Sequence, residues 1–139
     1  MITFQIVPER NYAYIEVLGV SSLDEYISAA LDFVNDPDFS PELDRICDFS
    51  RSDLSPITFS EIKKFTVFAK EYVAIDRFSK VALVAPDPDK MRMFLVLLGK
   101  LSSGRFRVIA DLEEAQGWAF GKWQHLHCAR LSESTRSKQ

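Results

Sequence analysis

The sequence predicts a single α/β domain built on a five-stranded, mostly parallel sheet, and three observations carry that expectation. Strand-like and helix-like periods alternate along the chain after an opening pair of strands. The run Val81-Ala82-Leu83-Val84 is apolar at every position, as suits a strand covered on both faces. The helical stretches begin at capping residues and end at breakers.

Taken in order, Ile2, Phe4 and Ile6 alternate with Thr3 and Gln5, the period of a half-buried strand. Pro8-Glu9-Arg10-Asn11 reads as a turn. Residues 12–18 form the returning strand, with Ala13, Ile15 and Val17 on one face and Tyr12, Tyr14 and Glu16 on the other. Ser22 with Glu25 makes a capping box for the first helix, whose stripe is Leu23, Tyr26, Ile27, Ala30, Leu31 and Val34. Asn35-Asp36-Pro37 stops it, and after Pro41 a short strand covers 45–49.

A polar loop over 50–54 leads to Ser55-Pro56, a cap followed by proline at the first helical position. Thr58 with Glu61 offers a competing capping box one turn on. Ile62, Phe65, Ala69, Tyr72 and Val73 define the buried stripe of the second helix; Lys63, Lys64, Lys70 and Glu71 are its wet side. Beyond 81–84, Asp87-Pro88 caps a third helix, which Gly104 closes after Ser102-Ser103. The last strand is 106–110. Asp111 with Glu114 then caps a fourth helix bearing Leu112, Ala115, Trp118 and Ala119. From Gly121 the pattern decays, so residues 1–120 form the domain and 121–139 a partly ordered extension.

Composition narrows the function classes. A chain of 139 residues can bury a real core, and 47% apolar with 27% charged residues excludes disorder as the main state. Basic and acidic residues, 17 against 20, are well mixed, which argues against nucleic acid as a partner. The N-terminus lacks the basic start and apolar run of a signal peptide. The longest apolar run, 93–98, falls far short of the ~20 residues of a membrane span. Cys47 and Cys128 form no C-x-x-C pair. A cytoplasmic location is expected.

Four segments carry a family resemblance: Asn35-Asp36-Pro37-Asp38-Phe39, Arg45-Ile46-Cys47-Asp48-Phe49, the stretch from Val81 through Ala85-Pro86-Asp87, and the stretch from Phe106 through Asp111 to Ala115. On these the chain, over residues 2–120, resembles the SpoIIAA-like proteins, relatives of the STAS anti-sigma-factor antagonists. The resemblance implies a (βα) superhelix with sequential strands and about four helices mainly on one face. It also implies protein–protein regulation, or binding of apolar small molecules or membrane surfaces. In STAS regulators a serine before the helix after the third strand is phosphorylated, within Asp-Ser-Ser/Thr-Gly. The matching Asp53-Leu54-Ser55-Pro56 keeps one hydroxyl with proline next, so Ser55 and Thr58 are the candidate phosphoacceptors, with helix capping as their structural alternative.

The third helix is the most informative segment. Eight of the eleven residues over 91–101 are apolar, more than one buried face needs. Met91, Phe94, Leu95, Leu98 and Leu101 share one face; Met93 and Val96 lie opposite, beside Arg92 and Lys100. Such a helix is buried on two sides or presents a contact surface. Met91, Met93, Phe94, Val96 and Leu97, with Phe65 and Phe68 of the second helix, form the candidate apolar contact surface.

Other chemistry is sparse. His125-Leu126-His127-Cys128 offers too few ligands for a stable metal site, and Asp48 reads as a loop-capping aspartate. No dinucleotide fingerprint, Ser/His/Asp set, H-E-x-x-H or Walker pattern occurs. The expectation is a non-enzymatic regulatory or scaffolding domain acting through protein–protein contacts, with no cofactor and no metal. The alternative is a binder of an apolar small molecule or membrane surface through the second and third helices. The second face of Val81–Val84 also needs cover, from the C-terminal Phe120, Trp123 and Leu126 or from a second subunit; a homodimer is expected.

Overall fold

In the computed structural model, which describes residues 1–73, 80–85, 88–99 and 105–118, five strands lie side by side in chain order. They are β1 (Ile2–Val7), β2 (Tyr12–Gly19), β3 (Asp44–Ser52), β4 (Val81–Val84) and β5 (Phe106–Ile109). The β1–β2 hairpin is antiparallel, with Phe4 opposite Ile15, and the remaining pairs are parallel. Its turn is a 3₁₀ turn at Pro8–Arg10, closed by Asn11 at φ 52°, a conformation asparagine tolerates. Three helices fill the crossovers: α1 (Leu23–Val34), α2 (Phe59–Phe68) and α3 (Asp89–Leu98). A fourth, α4, spans residues 112–118.

The period of two divides each strand between two cores. On one side Ala13, Cys47, Val81 and Leu83 pack with Phe33 of α1, Ile62 of α2 and Phe94, Leu95 and Leu98 of α3. On the other, Tyr12, Tyr14, Ile46, Ala82, Val84 and Ile109 pack with Ala115, flanked by Leu112 and Trp118, all from α4. Each β4 side chain is buried, as its uninterrupted apolar run requires. The cover expected from the C-terminal segment or a second subunit is thus supplied, among the described residues, by α4. Lys80 and Arg107 flank the Trp118 ring at 5.7 and 5.2 Å.

Several local expectations need correction. Thr58, not Ser55, caps α2: its hydroxyl accepts from the Glu61 N–H and the Glu61 carboxylate returns to the Thr58 N–H. Strand β3 runs three residues past Phe49, so residues 50–52 belong to the sheet and not to a loop. Helix α3 ends at Gly99 instead of Gly104, because Gly99 adopts φ 75° and donates to the Leu95 and Val96 carbonyls. In α1 the buried residue is Phe33, while Leu31, about 140° round from Tyr26 at 100° per residue, stands exposed. Tyr72 is exposed too. The helix passes into a π turn at Ala69–Val73, whose extra residue carries Tyr72 off the stripe.

The expectations resting on Asp87, Lys100 to Gly104, Ala119, Phe120 and the 121–139 extension with its His125, His127 and Cys128 lie outside the described residues. Among the described residues, no helix is long and apolar enough to cross a membrane.

Candidate functional site

Between the helix-covered face of the sheet and α1, α2 and α3 lies a cavity of about 150 Å³. Its floor is made by Phe4, Ile15, Cys47 and Leu83, which lie in register across four neighbouring strands and so share one face of the sheet. Helix α1 contributes Tyr26, Ala29, Ala30 and Phe33; α2 contributes Ile62 and Phe65; α3 contributes Met91 and Phe94. The β3–α2 connection adds Leu54 and Ile57. Two alanines on α1 stand where larger side chains would close the space. The cavity opens toward solvent, and its apolar space has room for a benzene-sized group.

Few polar groups reach this cavity. Arg45 is buried with its guanidinium 5.3 Å from the centre of the Phe33 ring, and burial disfavours its charged form. Burial likewise pushes the Cys47 thiol up, partly offset by Arg45. The Tyr26 ring meets Phe49 in a tilted contact and Phe65 edge to face, at 6.5 and 6.1 Å between ring centres. Burial raises its phenol above the ordinary range. Side-chain hydrogen bonding with Ser52 partly offsets that rise, and the Ser52 hydroxyl itself donates to the Gly19 carbonyl at 3.1 Å. Tyr26 Oη is buried out of reach of solvent.

The connection over 53–58 is held from α3. Lys90 Nζ donates to the carbonyls of Leu54 at 2.5 Å, Ile57 at 2.7 Å and Ser55 at 3.0 Å. These use the three hydrogens of the ammonium. Asp53 Oδ1 accepts from the Ser55 N–H at 3.0 Å and its hydroxyl at 2.7 Å, which holds the Asp53 carboxyl below the usual carboxylate range. Hydrogen bonds from Thr58 hold Glu61 low in the same way.

The candidate residues divide three ways. Met91, Phe94 and Phe65 line the cavity. Phe68, Met93 and Leu97 pack partly buried around the same core, and Val96 alone of the seven is exposed. The expected outward-facing surface is therefore largely turned inward. Ser55 is exposed within its Asp53 turn, and the Thr58 hydroxyl is engaged in the cap. Asp48 accepts from the Ser50 N–H at 2.9 Å, as a loop-capping aspartate does, and also from the Tyr14 hydroxyl at 2.6 Å on the α4 side. Tyr26, Cys47, Lys90 and the β1 residues were not legible as site residues. Lys90, a cation in the first turn of a largely apolar helix, was the one available signal.

Fold and cavity together define a small α/β domain with an apolar chamber under its crossover helices. No family model, no curated protein and no solved structure matches the chain.

Proposed function

We propose that this domain is a non-enzymatic binding module that takes up a small apolar molecule in the chamber between the sheet and α1–α3. The observation that carries the reading is the chamber itself, whose wall is formed almost entirely by aliphatic and aromatic side chains. Drug-sized ligands occupy roughly 300 Å³ or more, so about 150 Å³ suits a small aromatic or the end of a hydrocarbon chain. The sequence placed the apolar ligand second to protein contacts, and the chamber reverses that order. SpoIIAA-like ancestry belongs to the same proposal, supported by sequential strands with three crossover helices on one face.

Toluene, used as the probe, should raise the melting temperature of the protein in a concentration-dependent way. Ala30→Leu should raise it without ligand, by filling the space, and should abolish the toluene response. A toluene response that survives in Ala30→Leu places binding elsewhere and contradicts the reading.

Protein–protein contact, including a homodimer, remains a second reading with one observation of its own. Phe59, Val67, Tyr72 and Val96 stand exposed on α2, its π turn and α3. Light scattering at high concentration tests it: a dimer dispersed by Val67→Glu supports it, and a monomer contradicts self-association.

A further inference from the structure

Resting on the reading of the chamber as a ligand site, we infer that its ligand is an amphiphile, with a hydrocarbon end of about six carbons inside and its polar end left in water at the mouth. The wall has a deep end and an open one. Phe33, Cys47 and Leu83 are buried, whereas Ile2, Leu23, Phe49 and Leu54 are only half-buried. Those four gather where β2 and β3 finish. Leu23 begins the helix after β2, Phe49 and Leu54 lie on either side of the end of β3, and Ile2 pairs with Val17 near the end of β2. The chamber therefore opens at the carboxyl ends of parallel strands, where open α/β sheets place their ligands.

Polarity sets which end of the ligand goes in. The interior wall is almost entirely aliphatic and aromatic, so a charged or polar atom carried inward would lose its water without replacement. Arg45, the cation at the deep end, lies over the Phe33 ring and is engaged elsewhere in the chain as well. The other two charged wall residues, Lys90 and Glu61, stand in the first turns of α3 and α2, on the side of the mouth. Lys90 gives its three donors to the carbonyls of Leu54, Ser55 and Ile57. Glu61 Oε1 accepts from the Thr58 N–H and the Thr58 hydroxyl. A polar head group outside thus meets one cation and one anion, each already bonded, and the mouth does not select its charge.

The test titrates 1-hexanol, hexylamine and hexanoate into the full chain by calorimetry near neutral pH. The three affinities should agree within about fivefold, the scale of charge effects in water. Going from 1-butanol to 1-hexanol should tighten binding about fifteenfold, the effect of burying two more methylenes. All three compounds should lose binding in Ala30→Leu, which fills the space. Hexanol bound while both charged compounds are weaker by about a hundredfold or more overturns the polar end in water and leaves the chamber an enclosed ligand site. A preference of more than about tenfold for hexanoate over hexylamine, or the reverse, overturns the unselective mouth; the first would turn the ligand round, with its anion toward Arg45. Equal affinity of butanol and hexanol overturns the buried hydrocarbon end. Failure of these compounds and of toluene to bind removes the chamber reading and this inference with it.

Discussion

Tyr26 sits in the chamber wall with its ring in an aromatic cluster and its hydroxyl buried. Tyr26→Phe keeps the ring contacts and removes a buried hydroxyl near Ser52, so it should change stability by no more than about 1 kcal/mol, measured by urea denaturation. The pH dependence follows from the same burial, which makes both Tyr26 and Cys47 hold their protons more tightly in the folded chain than in the unfolded one. Above the ordinary thiol and phenol values, about 8.5 and 10, the unfolded chain has released protons that the folded chain still holds. Stability is then full below the thiol range and declines as pH rises through it and on through the phenol range. Melts from pH 7 to 11 check this, and Tyr26→Phe should lose the upper part of the decline. A flat alkaline profile would contradict the burial of both groups.

At the scale of elements, what was legible in the sequence was local. The hairpin, the Ser22–Glu25 capping box and β4 are set by residues close together in the chain, and they stand where the pattern placed them. The start of α2 was ambiguous because Ser55-Pro56 and Thr58 with Glu61 both satisfy the local rules. A distant residue decides it: Lys90 draws the Leu54, Ser55 and Ile57 carbonyls to itself and leaves the helix to begin at Thr58. Thr58→Ala should accordingly cost about 1 kcal/mol, while Ser55→Ala should change stability by less than about 0.5 kcal/mol. Equal effects in chemical denaturation would return the cap to Ser55. The end of α3 and the π turn after α2 were missed for a different reason. Gly99 and Gly104 are equally able to stop a helix, and a π turn leaves no mark in an apolar period of 3.6.

The whole molecule holds what no segment could show. The chamber wall draws on residues from Ile2 to Phe94, spread over four strands, three helices and one connection. Read singly, each of these residues is ordinary core, so the sequence pointed to the apolar excess of the third helix without revealing that it borders a cavity. The same holds for the second face of the sheet. The expectation of a homodimer grew from an uncovered β4, and Leu112, Ala115 and Trp118 of α4 supply that cover within the chain. With both faces of the sheet packed, the unused space is the pocket beneath α1–α3.

The chain carries its own probes for that space in its three methionines. Met91 lines the chamber, Met93 stands partly buried about 200° round the same helix and outside the chamber wall, and Met1 is exposed at the other end of the sequence. Titration of toluene into protein labelled with ¹³C at the methionine methyls therefore locates the ligand directly. If the chamber is the binding site, the Met91 resonance moves saturably while those of Met93 and Met1 hold still. Movement of Met93 or Met1 with Met91 unchanged, or no saturable shift at the solubility limit of toluene, would contradict it.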